Sequence, residues 1–234
     1  MDDDDDVKFQ VPEPGRWVSY QWVVSTTSHD SVFCWEGTGR FSIKNVGTSD
    51  CGRWWCETEF VHDRSTSSEN LIFKLLIDPQ YPSDQRIISP TGWLRFNEEP
   101  AKPFKTFSPN HYPDLCRLIQ QVCGYVLRPL RGAIDRHESL GLKAISHSHG
   151  QLECMGTSTV AVKDWPFASD RTIREKTDRT IWLNAAVPFF AVAESHVIVN
   201  QRLLVESGNP EESGWTSALH LSDFGSEATS RLIL

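Results

Sequence analysis

His147-Ser148-His149 is the local feature of this sequence with the clearest chemical potential. In an extended strand, residues two apart share a face, so both imidazoles would point the same way and could share a zinc or copper ion. A third ligand would have to come from Glu153, His137 or His196; otherwise the pair belongs to a solvated strand face. Glu57 and Glu59 are also two apart and could form a carboxylate pair. Their period with Arg53 places them toward solvent, with cationic partners.

Nucleophilic catalysis has no signature here. There is no GxSxG elbow, and Ser146 and Ser148 beside histidines carry no weight, because triads assemble in space and not by adjacency. Gly37-Thr38-Gly39 lacks the following helix and the lysine of a phosphate-cradling loop. The expectation is a chain that is not an enzyme, with no catalytic residue and no cofactor.

Six cysteines fit either redox compartment. Cys51 and Cys56 could pair across the tight turn between them, whereas Cys116 and Cys123, on a predicted helix, stand ~10 Å apart along its axis, too far to bond. No CxxC occurs, and no histidine sits at ligand spacing beside a cysteine pair. Reduced, half-buried thiols are expected.

The elements that must position these residues belong to a chain of 234 residues, long enough to bury a core without disulfides or metal. Its formal net charge is −8, and Asp2 to Asp6 contribute five of those negative charges. The body is therefore only mildly acidic, which excludes the basic surface of a nucleic-acid binder. No apolar run reaches membrane-spanning length, and no basic flank with an apolar run marks a signal peptide. The compartment stays open: the cytoplasm by default, or an exported protein whose leader has been removed. Residues 1–10 read as a disordered acidic tail and residues 11–234 as a single β-rich domain.

Nine tryptophans and abundant Val, Ile and Phe favour sheets. Residues 16–28 alternate, with Val18, Tyr20, Trp22 and Val24 on one face and Ser19 and Gln21 on the other. Phe41 and Ile43 continue the pattern. Residues 53–62 put Trp54, Cys56 and Phe60 on one face against Arg53, Glu57 and Glu59, and 71–77 form a more continuously apolar strand. Seven prolines between 79 and 113 mark mostly connection, interrupted by a short strand at 92–96. From Pro113-Asp114, Leu115, Leu118, Ile119, Val122, Tyr125 and Val126 recur at three- and four-residue spacing, which predicts a helix stopped by Pro129. After a link containing Gly132 and Gly141, strands are expected at 142–149, 151–163, 172–184, 189–206 and 215–222. The charged stretch Arg171 to Arg179 could form a short helix, but the β-branched Thr172, Ile173, Thr177, Thr180 and Ile181 favour strand.

This order predicts an α+β, mainly β fold: a curved antiparallel sheet of eight to eleven strands wrapping one principal helix. It is similar to the lipoprotein-carrier (LolA-like) half-barrels, and in particular to an uncharacterised bacterial group of that architecture. The residues that carry the resemblance are Pro14-Gly15-Arg16-Trp17-Val18-Ser19-Tyr20, Trp54-Trp55-Cys56-Glu57-Thr58-Glu59, Asn70-Leu71-Ile72-Phe73-Lys74-Leu75-Leu76-Ile77, Val187-Pro188-Phe189-Phe190 and Leu221-Ser222-Asp223-Phe224-Gly225. The resemblance implies an apolar-ligand or lipoprotein role and no catalytic residue.

Together these readings predict a non-catalytic binding module for a lipid, an acyl chain or an apolar segment of a partner protein. Its lining would be Val18, Tyr20, Trp22, Trp54, Phe60 and Phe73 from the sheet, with Leu118 and Val122 from the helix. Two other classes stay open: a metal-binding protein or metal-dependent enzyme centred on His147 and His149, and a structural or assembly protein meeting a partner through exposed sheet edges.

Overall fold

Side-chain alternation sets the first strand, β1 (Trp17–Thr26). Val18, Tyr20, Trp22 and Val24 are buried while Gln21, Val23 and Ser25 are exposed. The same rule carries through β2 (Gly37–Thr48), where Phe41, Ile43 and Asn45 are buried. In the computed structural model the described residues are 12–26, 37–48, 52–63, 68–77, 92–97, 99–100, 102–104, 130, 132–168, 171–205 and 211–231. The remaining strands are β3 (Trp54–Asp63), β4 (Ser68–Ile77), β5 (Gly92–Phe96), β6 (Lys102–Phe104), β7 (Ala133–His147), β8 (Gly150–Ala168), β9 (Arg171–Leu183), β10 (Val192–Val205) and β11 (Glu211–Gly225).

All eleven strands join one open antiparallel sheet in the order β6-β5-β4-β3-β2-β1-β11-β10-β9-β8-β7. Two meanders, β1 to β6 and β7 to β11, meet where β1 pairs with β11 along nearly its whole length. Cross-strand partners share a face, so register defines a continuous surface. Trp22 stands beside Gly39 on one side and Leu219 on the other, and Leu219 stands beside Ser195, which faces Ile181. This surface is called the Trp22 face below, and its opposite the Glu57 face.

The expected α+β half-barrel around a helix is corrected by this topology. The described chain is all-β and its sheet is not closed. No helix occurs among the described residues, so none of them is long and apolar enough to cross a membrane. The segment predicted as a helix, with Leu118 and Val122, lies outside the described residues, as do residues 1–11. Among the described residues the sheet buries apolar surface against its own loops and overlong strands. β9 ends at Leu183, opposite Met155. The β7–β8 hairpin runs on past that point, and the Ser148 amide in its turn donates to the Ser222 carbonyl of β11 at 3.0 Å. Ile145 and Cys154 of the hairpin thereby join the cluster of Tyr20, Val192, Phe189 and Leu221.

Gly141, read from sequence as part of a link, lies inside β7. It has a φ of +75° beside the register shift at Ser139/Gly141, the left-handed conformation that glycine adopts freely at bulges. β6 was not anticipated, and the expected strand at 189–206 starts three residues later, because 184–191 forms a turn.

Candidate functional site

The Trp22 face gathers most of the predicted apolar lining. Val18, Tyr20, Trp22, Trp54 and Phe60 are all on it and all buried. Phe73 takes the register position opposite Thr58 of β3; its side chain, like Leu118 and Val122, lies outside the described residues. The centre is a short aromatic stack: the Trp22 ring lies 5.1 Å from Phe60 at 14° and 5.5 Å from His62 at 28°. Tyr20 and Phe41 stack beside it at 6.2 Å.

Glycine makes this stack fit. A Cβ on Gly39 would meet the Val61 carbonyl oxygen and would sit 2.6 Å from Trp22 Cζ2, while one on Gly37 would run into His62 Nε2. Backbone replaces side chain between β1 and β3, so the rings of those strands close over β2 in one buried stack. The end of the face is held by the 184–191 turn. The buried Tyr20 hydroxyl donates to the Val192 carbonyl at 3.0 Å. Val187 and Phe189 are fully buried, and Phe189 and Ala191 have φ of +69° and +57°, a conformation that costs of order 1–3 kcal/mol in a non-glycine residue. Burial pushes the Tyr20 hydroxyl well above its usual pKa.

Two polar atoms stand out on this apolar face. Trp22 Nε1 and Ser195 Oγ are buried and find no hydrogen-bond partner among the described residues. The registers put them on one row across β1, β11 and β10, separated by Leu219. An indole N–H can only donate, so the apolar centre carries an unanswered demand for an acceptor.

Beyond Leu219 and Ser195 the face turns polar. Glu175, Thr177 and Arg179 of β9 and Thr159 of β8 are all buried there. Gln201 Nε2 donates to Glu175 Oε2 at 2.8 Å, and the Thr177 hydroxyl donates to Oε1 at 3.4 Å. Composition and periodicity did not disclose this half, because β-branched residues mark 172–184 as strand without telling which of its faces is covered.

The carboxylate pair proves structural, and one member corrects the expectation. Glu57 is not solvent-facing: its side chain is fully buried, because residues 226–231 cross the opposite face. Its carboxylate accepts from Lys44 Nζ at 2.9 Å, from the Ser230 hydroxyl at 2.6 Å and from the Arg231 amide at 3.0 and 3.1 Å. Arg231 also donates through Nη1 to both oxygens of Glu59 at 2.9 Å. Burial raises the Glu57 pKa, but the Ser230, Lys44 and Arg231 donors together outweigh it and hold the carboxyl below its ordinary value. The backbone adds Ala228 N to Gly15 O and Gly15 N to Asn45 O, both at 2.8 Å.

The two histidines do not share a strand face. His147 ends β7 and His149 lies in the turn, so the two-residue rule fails. Their rings are 6.4 Å apart at 78°. His147 Nδ1 accepts from the His149 amide at 3.4 Å, while His149 Nε2 lies 3.2 Å from Asp223 Oδ2. His137 Nδ1 instead pairs with the Thr159 hydroxyl at 2.8 Å, far along β7. No group of three or more metal-ligating side chains occurs among the described residues.

Cys56 is a free, buried thiol in β3 and not half of a tight-turn disulfide. Burial pushes its pKa up to about 12. Thiolates are the reactive form, so alkylation of the native protein at pH 8, mapped by peptide mass spectrometry, is expected to leave Cys56 unlabelled until denaturant is added. Cys154 is also free and raised, by burial and then by Glu194, against the opposing charge of Lys143.

No protein-family model matches this chain, and no curated protein matches it either. The likeness to lipoprotein carriers therefore rests on the short motifs alone.

Proposed function

We propose that this chain is a non-catalytic binding module that takes an apolar ligand, such as a lipid or acyl chain, on the Trp22 face. The observation that carries this reading is Trp22 Nε1, without a hydrogen-bond partner among the described residues, at the centre of a buried aromatic stack. A buried polar group without a partner costs about 1–3 kcal/mol, and tryptophans at recognition surfaces usually offer their N–H to a partner. An acyl compound would place its chain along Trp22, Phe60 and Phe41 and its carbonyl oxygen against the indole N–H.

Native mass spectrometry of the gently purified protein, followed by organic extraction and lipid analysis, tests the reading directly. A reproducible co-purifying apolar molecule is the expected result. Titration of stripped protein with a long-chain fatty acid should then change tryptophan fluorescence saturably. Trp22→Phe, which keeps a ring and removes the N–H, should weaken binding about tenfold, the equivalent of one lost hydrogen bond. A bare polypeptide mass together with no saturable response would sink the proposal.

A further inference from the structure

The two edges of the sheet are built differently. β6 is three residues long and contains Pro103, which removes an amide donor; short edges with proline resist further pairing. β7 is fifteen residues long, contains no proline, and is exposed at every position from 133 to 144. Ile134 is 56% and Leu142 63% exposed, and Leu140 is also exposed. Among the described residues its outer edge pairs with no strand.

We propose that β7 pairs antiparallel with β7 of a second copy of this chain, joining two sheets edge to edge about a two-fold axis at His137. Among axes at Arg136, His137 and Glu138, the charge pattern selects the one at His137. Cross-strand partners must share a face, and the β7–β8 register puts His137 and Ser139 on one face and Arg136 and Glu138 on the other. An axis between two residues would mix faces. An axis at Glu138 or at Arg136 would set each against its own copy, and like charges directly opposite are destabilising. An axis at His137 instead sets Arg136 opposite Glu138 twice, once on each side. It also places Ile134 opposite Leu140 and brings the two register shifts, at Ile134/Arg136 and Ser139/Gly141, opposite each other. Within one chain Arg136 already lies 3.7 Å from Glu138 and 4.0 Å from Asp178, with Arg136 and Glu138 more than half exposed. Both are therefore available to a facing strand, and a two-fold contact closes on itself as dimers do.

Sedimentation velocity and light scattering on the full chain across micromolar concentrations should report a dimer. Glu138→Arg should weaken it at least about tenfold, and the swapped pair Arg136→Glu/Glu138→Arg should restore it. Both variants should keep the wild-type circular dichroism spectrum, because the substituted side chains are exposed. His137→Cys should form an intermolecular disulfide at that position, confirmed by peptide mapping, more readily than Glu138→Cys. A wild-type chain that stays monomeric at high micromolar concentration would overturn the proposal. So would a dimer indifferent to the charge reversal, or one that cross-links better at position 138.

Discussion

Glu57→Ala is expected to release residues 226–231 from the sheet and to lower stability by about 3 kcal/mol, the order found when one partner of a buried ion pair is removed. The size follows from what the carboxylate does. It is fully buried, and it answers Lys44, the Ser230 hydroxyl and the Arg231 amide at once. Removal leaves three donors to find new acceptors, one of them a Lys44 ammonium that is only 12% exposed. Glu57→Gln keeps an oxygen for the tail but loses the charge that faces Lys44, so it should fall between wild type and Glu57→Ala. Urea denaturation measures the stability, and limited proteolysis of the C-terminal segment shows whether the tail has come free.

The same residue sets a pH dependence. The Glu57 pKa is lowered in the fold, so the unfolded chain binds its proton more readily than the native one. Its contribution is complete above the ordinary carboxylate range, roughly pH 4–4.5, and is lost as pH falls through the lowered folded value. Wild-type stability should therefore decline on acidification more steeply than that of Glu57→Gln. Parallel slopes would show that the tail is not held by this carboxylate.

The second large effect belongs to the aromatic stack. Trp22→Ala should cost about 4 kcal/mol, through lost burial and the cavity left between Phe60, His62 and Leu219. Gly39→Ala attacks the same contact from below and should cost about 3 kcal/mol, since overpacking of a tight site forces backbone shifts. The new methyl meets a carbonyl oxygen of Val61 as well as the indole. Shrinking the tryptophan cannot relieve that clash, so the double variant should be no more stable than Trp22→Ala alone. Full rescue in the double variant would mean that the ring alone constrains Gly39.

By itself the sequence determined the strand-rich class, the alternating faces of β1 to β3 and the strand expected at 172–184, observed as Arg171–Leu183. In each case the warrant was local: period two in side-chain polarity, or β-branched residues, registers directly in a half-buried strand. It also brought Val18, Tyr20, Trp22, Trp54 and Phe60 together on one face, because parity within a strand and pairing between neighbours require nothing long-range. Where local rules ran out, tertiary structure decided. The burial of Glu57 depends on residues 226–231, some 170 positions away, and polar periodicity looks the same whether the partner is water or a returning tail. His147 and His149 appear to share a face only if the strand continues through them, but the hairpin turns there to reach Ser222. The buried polar half around Glu175 and Arg179 became visible only once β8, β9 and β10 were in register. Parity says which side chains travel together; which face is covered, and by what, is settled by contacts between residues far apart in the chain.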